Sequence, residues 1–346
     1  MSDEANKSEQ EEFFEHYRIT VDAGQIPVRI DKFLLNRIEN VSRNKLQNAA
    51  KSGCILVNEK AVKNNYKVKP NDLILILLPQ PPRDKEVKAE NIPINIVYED
   101  DQLLIVNKEA GMVVHPAYGN FTGTLVNALV YHFDQLPADK NNDYRAGLVH
   151  RIDKDTSGLL LIAKEDFSLS FLAKQFFDHS ISRLYTALVW GDVLADEGSI
   201  VKNVLRDPKD RRKMISVAAT EDGKHAITHY KVLERFHYCT LLECKLETGR
   251  THQIRTHLAS IGHPFFNDET YGGARIISGP SFTKYKQYID NCFKLIPRQA
   301  LHARTLGFIH PETKKEVHFT SDLPADFSAV LEKWRAYSKQ LHDFDS

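Results

Sequence analysis

Cysteine is scarce in this chain, and what there is forms no pattern. The four residues Cys54, Cys239, Cys244 and Cys292 contain no C-x-x-C pair and no disulfide framework, so a reduced, cytoplasmic protein is expected. Cys239 and Cys244 lie in one strand-like run, an odd number of positions apart, and should point to opposite faces of a sheet. Long apolar runs are also missing: nothing approaches the ~20 residues a membrane helix needs. The N-terminal stretch MSDEANKSEQEEFFEH is acidic and polar, the opposite of a signal or transit peptide.

Familiar catalytic signatures are equally absent. There is no Walker sequence, no G-x-G-x-x-G and no H-E-x-x-H, which argues against nucleotide hydrolysis and zinc-protease chemistry. His150-Arg151-Ile152-Asp153 echoes a kinase catalytic loop, but an extra residue separates Arg from Asp and no D-F-G follows. The 15 histidines form no cluster with cysteine, so a metal site is not expected.

Net charge is lacking too, with 46 basic side chains against 46 acidic ones. That balance argues against a surface that traps RNA everywhere, but it hides an asymmetry. Residues 1–15 carry Asp3, Glu4, Glu9, Glu11, Glu12 and Glu15 against Lys7, a net of −5, leaving +5 for the rest. Bases gather at Arg37, Arg43, Lys45 and Lys51, and again from Arg206 to Lys213. Such patches serve as phosphate footprints or as plain solvated faces, and charge alone does not choose.

What is present divides the chain into an acidic tail (1–15), a compact unit (16–79), a Pro-rich charged linker (80–91), a large domain (92–337) and a short tail (338–346). In the compact unit Ile30, Phe33, Leu34 and Ile38 fall at helical spacing. Ser42 is placed to cap a second helix over Arg43 to Lys51, and Gly53 to stop it. Two β-rich runs follow. Arg43, Lys45 and Lys51 on the second helix suit phosphate, because free amides and the helix dipole add to their charge. In the large domain short β-runs (QLLIVNK, GLLLIAK, YTALVWGDV, HYKVLERF, TLLECKLE) alternate with helical stretches. One of these should bury Leu169, Leu172, Ala173, Phe176 and Phe177 on one face. The mixture indicates an α+β protein.

The chemistry concentrates in LVHRIDKDTSGLLLIAK, residues 148–164. His150, Arg151, Asp153, Lys154 and Asp155 lie between two apolar segments, where an unpaired charge would cost several kcal/mol. Further candidates are Tyr185 in SRLYTALVWG, and Arg250, His252 and Arg255 in LETGRTHQIRTHLASIGHPFFNDETYGG. An aspartate beside an arginine is stabilised as a carboxylate and can act as nucleophile or base. The same residues could equally form a structural ion pair, since their proximity is invisible in sequence.

The block 148–164 resembles the H-R-[LI]-D-x-x-T-S-G signature of the RluA-type pseudouridine synthases. EDDQLLIVNKEAGMVVHPAYGNFTGTLVNALVYH before it, and SRLYTALVWG and TGRTHQIRTHLASIGHP after it, resemble the flanking blocks in order. RIDKFLLNRIENVSRNKLQNAAKSGCILVNEKAVKNNYKVKPNDLI resembles an S4 RNA-binding domain. The resemblance implies an isomerase that converts uridine in RNA to its C-glycoside without cofactor or metal. It implies a small S4 domain joined to a mostly antiparallel mixed-sheet catalytic domain. It makes Asp153 the catalytic aspartate, Tyr185 the active-site tyrosine stacking on the base, and Arg255 the basic partner of Asp153, with Arg250 as the alternative. Arg151, His150, Arg250, His252, Arg43, Lys45 and Lys51 are the expected RNA contacts.

HPAYGN followed by GTLVNALVYH is most like the D-type enzyme of the ribosomal large subunit, so 23S rRNA is the expected partner of a monomeric, membrane-free protein. Other 23S sites (C type), tRNA, or a non-catalytic ribosome-assembly role are the alternatives. Four positions depart from the family pattern: Glu109 for proline, Asn267 for glycine, Arg183 for lysine and Glu59 for glycine.

Overall fold

The computed structural model describes residues 14–38, 41–78, 87–117, 119–133, 147–210 and 212–345. Two compact units divide the chain near residue 86. Most of the expected acidic tail, most of the expected linker and Arg211 of the second basic cluster lie outside the described residues.

The first unit pairs strands β1 (Phe14–Thr20), β2 (Ile55–Val57), β3 (Lys60–Ala61) and β4 (Leu73–Leu78) in the order β1-β4-β2-β3, all antiparallel. Helices α1 (Ile30–Leu35) and α2 (Arg43–Lys51) complete it. Ile30, Phe33, Leu34 and Ile38 share one core with Leu46, Ala50, Ile74 and Ile76, as helical spacing and strand alternation require. The Ser42 side chain accepts from the Lys45 N–H at 3.3 Å and caps α2. Asn58 and Glu59 turn the β2–β3 hairpin with φ of 47° and 68°. Glutamate is unfavourable there, and Asn58 compensates by donating to Asp72 (3.0 Å) and accepting from the Leu73 N–H (2.9 Å).

The second unit is built on a ten-stranded sheet. Its strands are β5 (Ile96–Glu99), β6 (Leu103–Lys108), β7 (Ser157–Ala163), β8 (Ser182–Trp190), β9 (Glu197–Arg206), β10 (Met214–Val217), β11 (Lys224–Arg235), β12 (Cys239–Leu246), β13 (Leu301–Ile309) and β14 (Glu316–Thr320). The order is β10-β9-β11-β12-β8-β13-β7-β6-β5, with β14 on β13. Every pairing is antiparallel except β13 with β7. Helices α3 (Leu125–His132), α4 (Asp166–Phe177), α5 (Gln253–Ala259), α6 (Thr283–Leu295) and α7 (Ala325–Asp345) accompany it. None of the described helices is long and apolar enough to cross a membrane.

β7 is buried along its whole length and apolar from Leu159 onward, because both its faces are covered. Leu160 and Ile162 enter one core cluster, Leu159 and Leu161 another. Cys244 and Cys239 likewise fall in clusters on opposite faces. Helix α4 differs from expectation. It buries Ser168, Leu172 and Gln175, whereas Phe177 is 83% exposed and Ala173 is exposed. Gln175 turns inward because its amide donates to the Ile309 carbonyl and accepts from the Ile309 N–H. That pairing fixes the helix face and rotates the last turn outward. Helix α7 also runs through Asp345, so the expected tail from 338 continues a helix that carries Trp334 into the core.

Candidate active site

Asp153 sits in the turn that feeds β7, and its backbone is held from two sides. The Thr156 N–H closes the turn on the Asp153 carbonyl at 3.1 Å. Buried Lys108 donates to the carbonyls of Lys154 (2.9 Å), Met112 (2.9 Å) and Glu109 (2.6 Å). Burial pulls the Lys108 ammonium down to about 7, against the favourable charge of Asp155. Buried Arg298 donates to the Asp155 and Leu301 carbonyls, at 3.2 and 3.3 Å, while its fork grips Asp326 at the start of α7. Gly158 has φ of +116°, and a Cβ there would stand 2.2 Å from the Ala303 carbonyl oxygen. Its role is therefore close approach of β13 more than the turn itself.

Opposite this turn stands Arg255, on α5. Its side chain is only 7% exposed. Nε and Nη2 grip fully buried Asp268 at 2.7 and 2.9 Å, which leaves Nη1 for Asp153 Oδ2 at 3.1 Å. Asp268 is itself fixed, accepting the N–H groups of Thr270 (3.0 Å) and Tyr271 (3.1 Å). Burial works against the Arg255 charge, but hydrogen bonds to Asp268 and the charges of both aspartates outweigh it and raise the pKa further. Such a fork fixes direction as well as charge. Asn267, in place of glycine, occupies the left-handed region at φ 58°, which asparagine tolerates. Its amide also donates to the Ile296 carbonyl at 2.7 Å.

Tyr185 stands on β8 beside Asp153, almost wholly buried. Burial raises its pKa; Arg183 opposes this and the Asp153 charge adds to it, so the phenol keeps its proton at neutral pH. A cleft of about 530 Å³, partly open to solvent, is lined by Asp153, Tyr185, Arg255 and three further arginines: Arg151, Arg183 and Arg250. Four guanidinium groups around one carboxylate make the cleft suited to a polyanion.

The remaining expected residues separate by geometry. Arg151 is at the cleft, 3.4 Å from the His115 ring. Arg250 lines it too, but its guanidinium turns to the His225 carbonyl (3.3 Å), so Arg255 and not Arg250 pairs with Asp153. His252 opens α5 with φ of 53° and sets Nε2 3.9 Å from Asp153 Oδ1. His150 is tied into the frame. Its ring stacks on Phe176 at 4.6 Å, its Nε2 accepts from the Leu161 N–H at 2.9 Å, and burial pushes its pKa down to about 3. A neutral ring so placed holds β7 and does not supply charge to a phosphate.

In the first unit Arg43, Lys45 and Lys51 are exposed on α2. Arg43 Nε lies 3.3 Å from Asp31, a carboxylate 1% exposed that also takes the fork of Arg29 and the amide of Gln47.

Lys108, Arg298, Asp268, Tyr271 and Asp31 were not singled out from sequence. Asp268 and Tyr271 had a signal: both lie in PFFNDETYGG, where a carboxylate follows an apolar run. The others have partners too remote for any local pattern.

Residues 102–260 match the RNA pseudouridylate synthase family, and residues 28–74 match the S4 domain. An uncharacterized RNA pseudouridine synthase of Chlorobaculum parvum is 47% identical over 90% of this chain and 95% of its own. The ribosomal large subunit pseudouridine synthase D of Zymomonas mobilis is 40% identical over 91% of this chain and 96% of its own. The solved structure of human RNA pseudouridylate synthase domain containing 1 shares the fold. It superposes with a TM-score of 0.51 at 24% identity, over 72% of this chain and 90% of that one. The chain belongs to the RNA pseudouridine synthases, isomerases acting on RNA, and carries an S4 domain ahead of the catalytic fold.

Proposed function

We propose that this enzyme isomerises uridines of 23S rRNA, with Asp153 as the catalytic carboxylate, working as a monomer in the cytoplasm where the large subunit is made. The observation that carries the site assignment is the 3.1 Å contact of Arg255 Nη1 with Asp153 Oδ2, made by an arginine already locked on Asp268. The rRNA target is supported by the ribosomal large subunit relatives.

The reaction exchanges one bond for another. N1–C1′ breaks, C5–C1′ forms, the C5 proton leaves and N1 gains a proton, so no redox partner is needed. Asp153 begins it, by attack at C1′ or by removing a sugar proton, while Arg255 holds the carboxylate charged and aimed. Tyr185, kept as a phenol, packs on the base and donates rather than accepts. A target base in folded RNA is turned out of its stack to reach Asp153, and the arginines at the cleft take the displaced backbone. Arg43, Lys45 and Lys51 of the S4 domain add phosphate contacts.

Tritium at uracil C5 reports the reaction directly, because the exchange of bonds sends that atom to water. A 23S transcript labelled at C5 should release tritium with wild type and not with Asp153→Asn. No release from 23S with release from tRNA would redirect the target. No release from any RNA, with binding intact, would favour an assembly role.

A further inference from the structure

Asp153 has one carboxylate oxygen that Arg255 does not hold. Arg255 occupies Oδ2, and the other oxygen, Oδ1, faces His252 Nε2 across 3.9 Å. That separation is too long for a hydrogen bond, yet it allows a single oxygen at roughly 2.7–3.0 Å from both atoms. The state of the histidine follows from its other neighbours. Tyr271 Oη accepts the Met214 N–H at 3.1 Å, and the second group on Oη is His252 Nδ1, at 3.0 Å. A backbone amide can only donate, so among the described residues the phenol proton has His252 Nδ1 as its acceptor. In the tautomer whose Nδ1 accepts from that phenol, the hydrogen of the neutral ring is on Nε2, beside the gap. Burial, opposed by the Asp153 charge, lowers the His252 pKa and keeps the ring neutral. The gap is thus bounded by one donor, His252 Nε2–H, and one acceptor, Asp153 Oδ1. A hydroxyl group is the complement of that pair.

The chemistry of the reaction indicates which hydroxyl. In a uridine of RNA the base projects from one face of the ribose. A carboxylate attacking C1′ comes from the opposite face, and the 2′-hydroxyl, on the adjacent carbon, projects from that same face. We propose that His252 and Asp153 together bind the 2′-hydroxyl of the target uridine, and that His252 is the residue by which this site distinguishes a ribonucleotide from a deoxyribonucleotide. Tyr271 is a positioning residue in this arrangement: it fixes the tautomer, and its ring also lies against the Arg255 guanidinium, 5.0 Å away. The inference rests on the reading of Asp153 as the group at C1′. A hydroxyl is the feature of RNA that DNA lacks, so a donor–acceptor pair dedicated to it supplies discrimination that phosphate contacts cannot.

The test is a cycle of two deletions. C5-tritiated RNA of the sequence that wild type turns over would be prepared with uridine or 2′-deoxyuridine at the target. Release and binding would be measured for wild type, His252→Asn and Tyr271→Phe. Asparagine is chosen because it tolerates the left-handed backbone at 252. Wild type should lose about 30- to 1,000-fold on the deoxy substrate, the scale of one neutral and one charged hydrogen bond. In His252→Asn the deoxy penalty should fall by about 3- to 10-fold, leaving the part that the Asp153 contact supplies. Tyr271→Phe, which keeps the ring and removes only the hydroxyl, should reduce the discrimination at least about 3-fold; it carries the test by itself if His252→Asn does not fold. Equal deoxy penalties in wild type and both variants overturn the proposal while leaving Asp153 in place. Wild type that releases tritium from no RNA overturns the reading beneath it.

Discussion

Both units of this protein bury an aspartate beneath arginine, and they use the pair in opposite directions. In the first unit Asp31 is the buried member, and its arginines, Arg29 and Arg43, keep side-chain exposures of 39% and 46%. The carboxylate anchors two guanidinium groups whose outer edges meet solvent. In the second unit Asp268 is buried and so is its arginine, and the free edge of Arg255 meets another carboxylate, Asp153. The lesson is one of aim. A buried acid is costly unless paired, but once paired it holds an arginine more firmly than solvent-exposed contacts can. Aimed outward, the arginine is available to phosphate; aimed inward, it sets the charge and orientation of a reacting group.

The largest effect is expected from removing the carboxylate at which Arg255 is aimed. Asp153→Asn should lower tritium release by about 10³-fold or more, since it deletes the group that initiates the reaction. RNA affinity should be nearly unchanged, because the cleft arginines stay in place. Affinity lost in parallel with turnover would contradict the assignment.

The next largest effect is expected from the anchor itself. Asp268→Asn leaves the Arg255 charge buried with only half its compensation and should destabilise the second unit by about 3–5 kcal/mol. Denaturant unfolding measures this. A stable variant with full turnover would mean that Arg255 needs no anchor.

The corresponding change in the first unit should be milder. Asp31→Asn should cost about 1–2 kcal/mol, because its arginines are half-exposed and screened by water. The acid dependence has a definite sign. Burial alone would raise the Asp31 pKa, but the hydrogen bonds from Arg29, Gln47 and Arg43 outweigh it and hold the group well below the ordinary aspartate value of 3.8. A depressed carboxylate stabilises fully above about pH 4 and loses that contribution as pH falls from there toward the folded value. Wild type should therefore keep a constant advantage over Asp31→Asn above about pH 4 and lose it on acidification below that.

The smallest effect sharpens the outward case. Arg43→Ala with Lys45→Ala should weaken RNA binding and flatten its dependence on salt, since each lost phosphate contact removes about one unit of slope. A slope that does not move would take α2 out of the RNA interface.

Much of this arrangement was legible residue by residue. The period of Ile30, Phe33 and Leu34, the cap at Ser42 and the unbroken apolar run of β7 are local patterns, and each formed as read. Helix α4 shows where local pattern fails: the burial of Gln175 depends on Ile309, at the end of the distant strand β13. His150 shows the same at the site, since its charged-looking neighbourhood hid a ring that packs inward on Phe176.

Elements, family and a shortlist of reactive residues are readable from the chain alone, because they are written in spacing and in short blocks. Which arginine meets Asp153 is set by folding, which brings together residues 102 positions apart. Folding also decides that Asp268 locks that arginine, that Lys108 and Arg298 pin the turn, and that Tyr271 orients His252. These contacts depend on sheet register and on loops brought together from distant segments. A carboxylate carries no mark in sequence of the partner that makes its burial tolerable.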